Sequence, residues 1–228
     1  MRSQREYELA VGLMNEGSAQ LAVTFQHLFT AIELDPENAD AHFLLGNLFL
    51  FQRDDARAEE HLRAALRIRG RDPQARNSLG VLYIHQRHYD AAIRELREAT
   101  GDLLNREPHL AWGNLGWAYY EKGDYRQALQ TLSQAVRLQR RFCVGHYRMG
   151  QTYVAMRDHS HAEEALTHAL EVQDPSCQAM QEAWLLRGRA RAQLGRREDA
   201  ISDFEHCVTI DADTEPGHAC QRLLEATH

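Results

Sequence analysis

Apolar and small residues in this chain recur with a helical spacing, and the whole arrangement repeats. Gly12, Gly46, Gly80, Gly116, Gly150 and Gly188 each follow Val, Leu, Met or Arg, at successive distances of 34, 34, 36, 34 and 38 residues. Twelve places after each glycine stand Thr24, Ala58, Ala92, Ala128, Ala162 and Ala200; nineteen places after it stand Ala31, Ala65, Ala99, Ala135, Ala169 and Cys207. Sixteen places on, the residue is large: Leu28, Leu62, Leu96, Leu132, Leu166 and Phe204. A period near 34 predicts one two-helix unit per repeat, helix A carrying the glycine and helix B the alanines, with small residues where backbones approach and large ones filling the gaps. The units run about 5–38, 39–72, 73–108, 109–142, 143–180 and 181–214. Residues 215–228 read as a cap in which Leu223 and Leu224 cover the last unit. No Val/Ile/Thr-rich alternating stretch predicts a strand.

This is the tetratricopeptide pattern, and the chain resembles that family over about residues 5–214. Aromatic residues three after the glycine (Phe49, Tyr83, Tyr119, Tyr153) and tryptophans four before it (Trp112, Trp184) carry the likeness further. The resemblance implies an all-α fold, a right-handed superhelix forming a single solenoid over residues 1–228.

Composition narrows the functions. Of 228 residues, 43% are apolar and 26% charged, enough to bury a core. The formal charge of −7 argues against a nucleic-acid partner bound through its phosphates. Lys122 is the single lysine. No run of 18 apolar residues is present, and "MRSQREYELA" has no apolar core of a signal peptide. The expectation is a cytoplasmic protein if Met1 is native, or otherwise a mature or trimmed form.

Catalytic motifs are missing: the sequence holds no GxGxxG, P-loop, HExxH or GxSxG. We therefore expect a non-enzymatic protein with no catalytic residue, metal or cofactor. Of the thirteen histidines, His85, His88, His159, His161 and His168 lie at turns or on one helix face without the converging ligands zinc needs. Cys207 takes the small-residue position facing the cap that holds Cys220, which makes that pair a candidate disulfide. Cys143 and Cys177 are equivalent positions of adjacent units, ordinarily beyond the roughly 7 Å between Cα atoms that a disulfide tolerates. An extended connection after "EVQDPS" would bring them together. Two disulfides imply an oxidising compartment; four free thiols, the other reading, suit a reducing cytoplasm.

The helix A positions not needed for packing line a concave face. Leu9 and Leu13 in the first unit, Phe43, Asn47, Leu50 and Phe51 in the second, Asn77, Val81 and Ile84 in the third, and Trp117 and Tyr120 in the fourth form this candidate groove. Such an apolar stripe suits an amphipathic helix or extended apolar segment of a protein partner. The lysine-based clamp that holds chaperone C-terminal tails is not expected, because the single lysine, Lys122, reads as a residue of the A–B turn and not of the groove.

The 36-residue step falls at "GDLLNREP". With Ala99, Asp102, Leu104, Pro108, Asn114, Leu115 and Gly116, and with Asn77, Gly80, Gln86 and Tyr89 before them, this stretch resembles the type IV pilus pilotins, the PilF, PilW and Tgl group; the cysteine-rich last third, with Cys143, Cys177, Cys207 and Cys220, looks closest to the Tgl branch. That resemblance implies a periplasmic lipoprotein on the outer membrane, reaching the membrane only through an N-terminal lipid anchor. It also implies a secretin partner, a PilQ-like subunit whose insertion and multimerisation the protein promotes. A general cytoplasmic scaffold that holds a peptide or helix in its groove is the alternative.

Overall fold

Strong helix formers and capping residues set the local structure. Asn38, Asp54, Asp72, Asp124, Asp158 and Thr214 each stand just before a helix and accept a hydrogen bond from a free first-turn N–H. The protein is described here by a computed structural model covering residues 1–15 and 20–226. Among the described residues there are fourteen helices and no strand. They fall into two compact units, Met1–Arg106 and Glu107–His228.

The first unit holds three helix pairs: α1 (Arg2–Asn15) with α2 (Leu21–Leu34), α3 (Ala39–Phe51) with α4 (Asp55–Arg69), and α5 (Pro73–His85) with α6 (Tyr89–Gly101). In the second, α7 (Pro108–Lys122) pairs with α8 (Tyr125–Leu138), and α9 (Cys143–Ala155) with α10 (His159–Leu170). A short α11 (Pro175–Gln178) precedes the pair α12 (Gln181–Gln193) and α13 (Arg197–Ile210), and α14 (Glu215–Glu225) closes the series.

The sixteen-residue spacing has a direct physical meaning. A Cβ built on Gly46, Gly80, Gly116 or Gly150 would come within 2.4–2.6 Å of Cγ of Leu62, Leu96, Leu132 or Leu166, and one on Gly188 within 2.5 Å of the Phe204 ring. Each glycine is the hole for the large residue of its own helix B. Gly12 is the exception, since nothing lies within 4 Å of its Cβ position. There the first pair relies on other ties. Ser3 donates to the Ala31 carbonyl at 2.8 Å and accepts from Asn38 Nδ2 at 2.8 Å, and Glu6 meets His27 at 2.7 Å.

Seven residues after the glycine, the turn between A and B needs a left-handed backbone. Gly123 and Gly195 supply it at no steric cost, whereas Arg53, Arg87 and Arg157 adopt it at φ near 60°. The two irregular steps also become concrete. The 38-residue step accommodates α11, and the 36-residue step produces the 102–107 connection beside the unit boundary. In that connection Asp102 accepts from the Leu104 N–H at 2.9 Å, and Asn105 Nδ2 donates to the Ala99 carbonyl at 3.0 Å. Leu103 and Leu104 are left 97% and 72% exposed.

In the second unit α14 packs on α13, with Leu223 and Leu224 half-buried against Leu185, Phe204, Cys207 and Cys220. No helix among the described residues is long and apolar enough to cross a membrane.

Candidate partner-binding surface

In the first unit the candidate positions lie on α1, α3 and α5, and their surroundings differ. Leu9 on α1 and Phe51 at the end of α3 are open, Phe51 to 82%. Leu13, Phe43, Leu50 and Val81 are half-buried, so each presents one flank. Asn47 is tied down on both sides of its amide: Nδ2 donates to the Phe43 carbonyl at 3.0 Å, and Oδ1 accepts from Ser78 at 2.7 Å. Asn77 is half-buried one turn before Val81.

Ile84 departs from the expectation. It is only 4% exposed and belongs to the core. It stands one turn beyond Gly80, on the flank where the paired helix approaches closest, and so has little surface left for a partner.

A second apolar feature of this unit was not foreseen from the groove pattern. Leu21, Ala22, Phe25 and Phe29 of α2, with Phe49 and Gln52 of the α3 end and Arg57 of α4, line an open hollow of about 460 Å³. Phe25 and Phe49 have ring centroids 5.0 Å apart, and the Arg57 guanidinium lies 4.3 Å over the Phe49 ring. The signal was in the sequence: "LAVTFQHLFTAIEL" is apolar on more than one face, as a helix covered on one side only would not need to be.

Behind that wall, His42 and His61 meet through their Nδ1 atoms at 2.9 Å. One ring must donate and the other accept, so both cannot be charged together. Burial lowers the pKa of each, and for His61 the neighbouring His42 lowers it further.

In the second unit Trp117 and Tyr120 stand half-buried on α7. Trp117 donates its indole N–H to Glu121 at 3.0 Å, and the Arg148 guanidinium stacks 4.4 Å over its ring. Tyr120 packs against Tyr125 with centroids 5.7 Å apart, and burial raises its pKa.

This unit also contains the cysteines. Cys143 and Cys177 are joined with Cα atoms 5.9 Å apart, and Cys207 and Cys220 with Cα atoms 6.4 Å apart. The first pair is brought within reach by α11, whose single turn returns Cys177 to the start of α9; a continuous extended connection plays no part. A buried ionic network lies nearby. Asp203 receives Arg187 at 2.7 Å and Arg191 at 3.0 Å, while Glu163 receives Arg191 at 3.0 Å and Arg196 at 2.7 Å. Sequence reading missed it because Arg187 and Arg191 occupy α12 positions that periodicity alone marks as polar surface, and Arg196 stands in the turn just before α13. Among the described residues no group of three His, Cys, Asp or Glu side chains could hold a metal ion.

Models described as tetratricopeptide repeat match residues 26–76, 56–108 and 147–211, and a further one matches residues 109–142. The chain belongs to the tetratricopeptide repeat family. Among curated relatives of this tetratricopeptide repeat chain, the Type IV pilus assembly protein PilF of Pseudomonas aeruginosa is 30% identical over 133 residues, which is 58% of this chain and 52% of that one. The chain thus spans about half the length of that relative. Two solved structures share the tetratricopeptide repeat fold. PilW, described as a widely conserved type IV pilus biogenesis factor, gives a TM-score of 0.84 at 17% identity, covering 96% of this chain and 98% of its own. Pseudomonas aeruginosa pilF gives 0.81 at 22% identity, covering 97% of each. These two likenesses establish the fold, and the curated relative adds sequence kinship to a pilus assembly factor.

Proposed function

We propose that this chain is a non-enzymatic, pilotin-like assembly factor of type IV pilus biogenesis. It binds a secretin subunit through an apolar or amphipathic segment and promotes the insertion and multimerisation of that subunit in the outer membrane. The observation that carries this reading is the apolar surface left open in the first unit, led by Phe51 and Leu9 and continued by the flanks of Phe43 and Leu50. Side chains of this kind each contribute roughly 1.5–3 kcal/mol when fully covered, before the cost of association. Kinship with PilF supports the choice of pilus assembly over other roles of the same fold. The two cysteine pairs within bonding distance favour an oxidising compartment, in keeping with a lipoprotein at the periplasmic face of the outer membrane.

The test is co-purification with a type IV pilus secretin subunit. Phe43→Asp combined with Leu50→Asp should abolish capture while helical content stays unchanged. Because both residues are half-buried, Phe51→Asp provides an independent probe at a position that packing does not need. Undiminished capture by the folded variants would remove the groove assignment. Failure of the wild-type protein to capture any secretin subunit would remove the pilotin reading. In that case four titratable thiols in native-source protein would favour the general cytoplasmic scaffold.

A further inference from the structure

The connection that closes the first unit carries two leucines that take no part in packing. It follows α6, and it is tied down on both sides of them. Asp102 Oδ1 accepts from the Leu104 N–H at 2.9 Å, and the Asn105 N–H donates to the Asp102 carbonyl at 3.1 Å. Asn105 Nδ2 then holds the Ala99 carbonyl at 3.0 Å. Between these ties Leu103 and Leu104 are turned outward, almost fully exposed. An apolar residue at such a junction can pack inward. Phe142 does so in the second unit, where a Cβ built on Gly113 would come within 2.7 Å of its ring. Two adjacent leucines fixed in water have no such use inside the fold.

Their surroundings are polar and outwardly basic. Leu104 shares a hollow of about 210 Å³ with Arg69, Arg71, Gln74 and Arg106, among others. Arg71 holds Asp102 through Nε and Nη2, each at 3.2 Å, which leaves Nη1 without a protein partner. The Arg71 side chain is 69% exposed, whereas that of Asp102 is 8% exposed. Arg106 is exposed and makes no hydrogen bond or ion pair with the described residues. The other acids here are engaged. Asp72 caps α5 and receives Arg69 at 2.5 Å, and Asp40 meets the same arginine. On a chain of net charge −7, the charges presented beside this tip are therefore guanidinium groups.

We propose that the Leu103–Leu104 tip seats in the interface of an anionic phospholipid bilayer, the leucines among acyl chains and Arg71 and Arg106 on lipid phosphates. A protein partner would need an apolar rim around the leucines to seal against, and the rim here is guanidinium and amide. Fluid acyl chains close around a projecting tip without a matching pocket, and phosphates lie at the level of the flanking guanidinium groups. Arginine suits that anion because it offers several N–H donors at once. The turn at Asp102 has already ordered the tip, so little entropy is lost on seating. Two leucines give a weak, reversible contact that orients the first unit on a membrane and does not anchor it. The contact is distinct from an N-terminal lipid anchor and does not depend on which segment the Phe51 and Leu9 surface receives.

The test uses the full chain, with no lipid attached, sedimented at low salt with vesicles of phosphatidylethanolamine and phosphatidylglycerol. The chain should partition onto these vesicles and much less onto pure phosphatidylcholine. Leu103→Asp combined with Leu104→Asp should lower partitioning roughly tenfold or more with helical content unchanged, because neither side chain is packed. Arg106→Gln should lower it about fivefold. Phe51→Asp should leave it unchanged, which keeps this outcome separate from that of the secretin test. Lipids spin-labelled along the acyl chain should broaden the methyl resonances of Leu103 and Leu104 before those of Leu9. No partitioning by the wild-type chain, undiminished partitioning by the leucine variant, or equal partitioning onto phosphatidylcholine would overturn the proposal. Loss of secretin capture in the leucine variant, with no vesicle binding by the wild-type chain, would assign the tip to a protein partner instead.

Discussion

The two units are built by one packing rule and completed by different means. In both, a glycine of helix A receives a large residue of helix B, as Gly80 receives Leu96 in the first and Gly150 receives Leu166 in the second. Beyond that, the first unit leaves apolar groups open: Phe51, Leu9, the hollow around Phe29, and Leu103 with Leu104. The second exposes Leu138, Met156 and Leu194 as scattered positions and adds internal ties, two cysteine pairs and a buried network around Asp203. A repeat pattern therefore specifies how helices pair but not what the remaining positions do. Those positions are where the first unit leaves apolar surface open and the second gains extra constraint.

Reduction should separate the units most sharply. Loops closed over sequence separations of 34 and 13 residues correspond to about 4 and about 3 kcal/mol of constraint on the unfolded chain. Reductant should therefore speed amide exchange in α9–α14 by orders of magnitude while leaving α3–α6 unchanged. Equal acceleration in both units would end the contrast. Asp203→Ala comes next. It strands Arg187 and Arg191 beside a site that is 1% exposed, which should cost about 3–5 kcal/mol in a urea melt followed in the second unit. A loss below about 1 kcal/mol would mean that the network is replaceable packing.

The shared rule is tested by adding one methyl group. Gly80→Ala and Gly150→Ala each bring a Cβ to 2.4 Å from a leucine Cγ and should cost about 1–3 kcal/mol in their own units. Gly12→Ala meets nothing and, as a helix-interior change, should be neutral or stabilise by up to about 1 kcal/mol. Thermal melts of the three variants check both statements.

That split also marks how far the sequence could be read. The stride of glycines and large residues identified every paired helix, because close approach restricts residue size at fixed spacing. It could not reveal that Gly12 has no such neighbour, since the residue is the same whether the space is filled or open. The groove positions followed from helix register, which places a side chain on a face but does not say how deeply its neighbours cover it; Ile84 is the example. Ties between distant positions, such as Arg191 to Glu163 or Arg148 to Gly113, leave no periodic trace at all.

Acid should weaken both units, but the first through a coupled pair. His42 and His61 have folded-state pKa values lowered by burial, and His61 is lowered further by His42; His146 in the second unit is lowered by burial first and by His168 as well, but without a hydrogen bond between the two rings to couple them. A histidine whose pKa is lower folded than unfolded binds more protons when unfolded, so stability rises with pH across this range. The contribution is complete above the ordinary value of 6.5 and is lost as pH falls below it. Amide protection factors in α3 and α4, corrected for the intrinsic exchange rate at each pH, should fall between pH 7 and pH 5, and His61→Gln should flatten that dependence in the first unit only. An unchanged profile in the folded variant would show that other groups carry it.

The smallest effect on stability is expected where the effect on binding is largest. Phe51 is 82% exposed at the end of α3, so Phe51→Asp removes almost no packing and should change the unfolding free energy by no more than about 0.5 kcal/mol. The same change places a charge on the apolar face, where a partner would have to desolvate it without a counter-ion. Capture of an apolar segment by the first unit should fall at least tenfold. A matched change in the second unit, Leu138→Asp at a residue 55% exposed, should leave capture untouched. If Phe51→Asp instead destabilised the first unit by more than about 1 kcal/mol, this side chain would belong to the fold, and the open apolar surface would have to be redrawn around Leu9 and the Phe29 hollow.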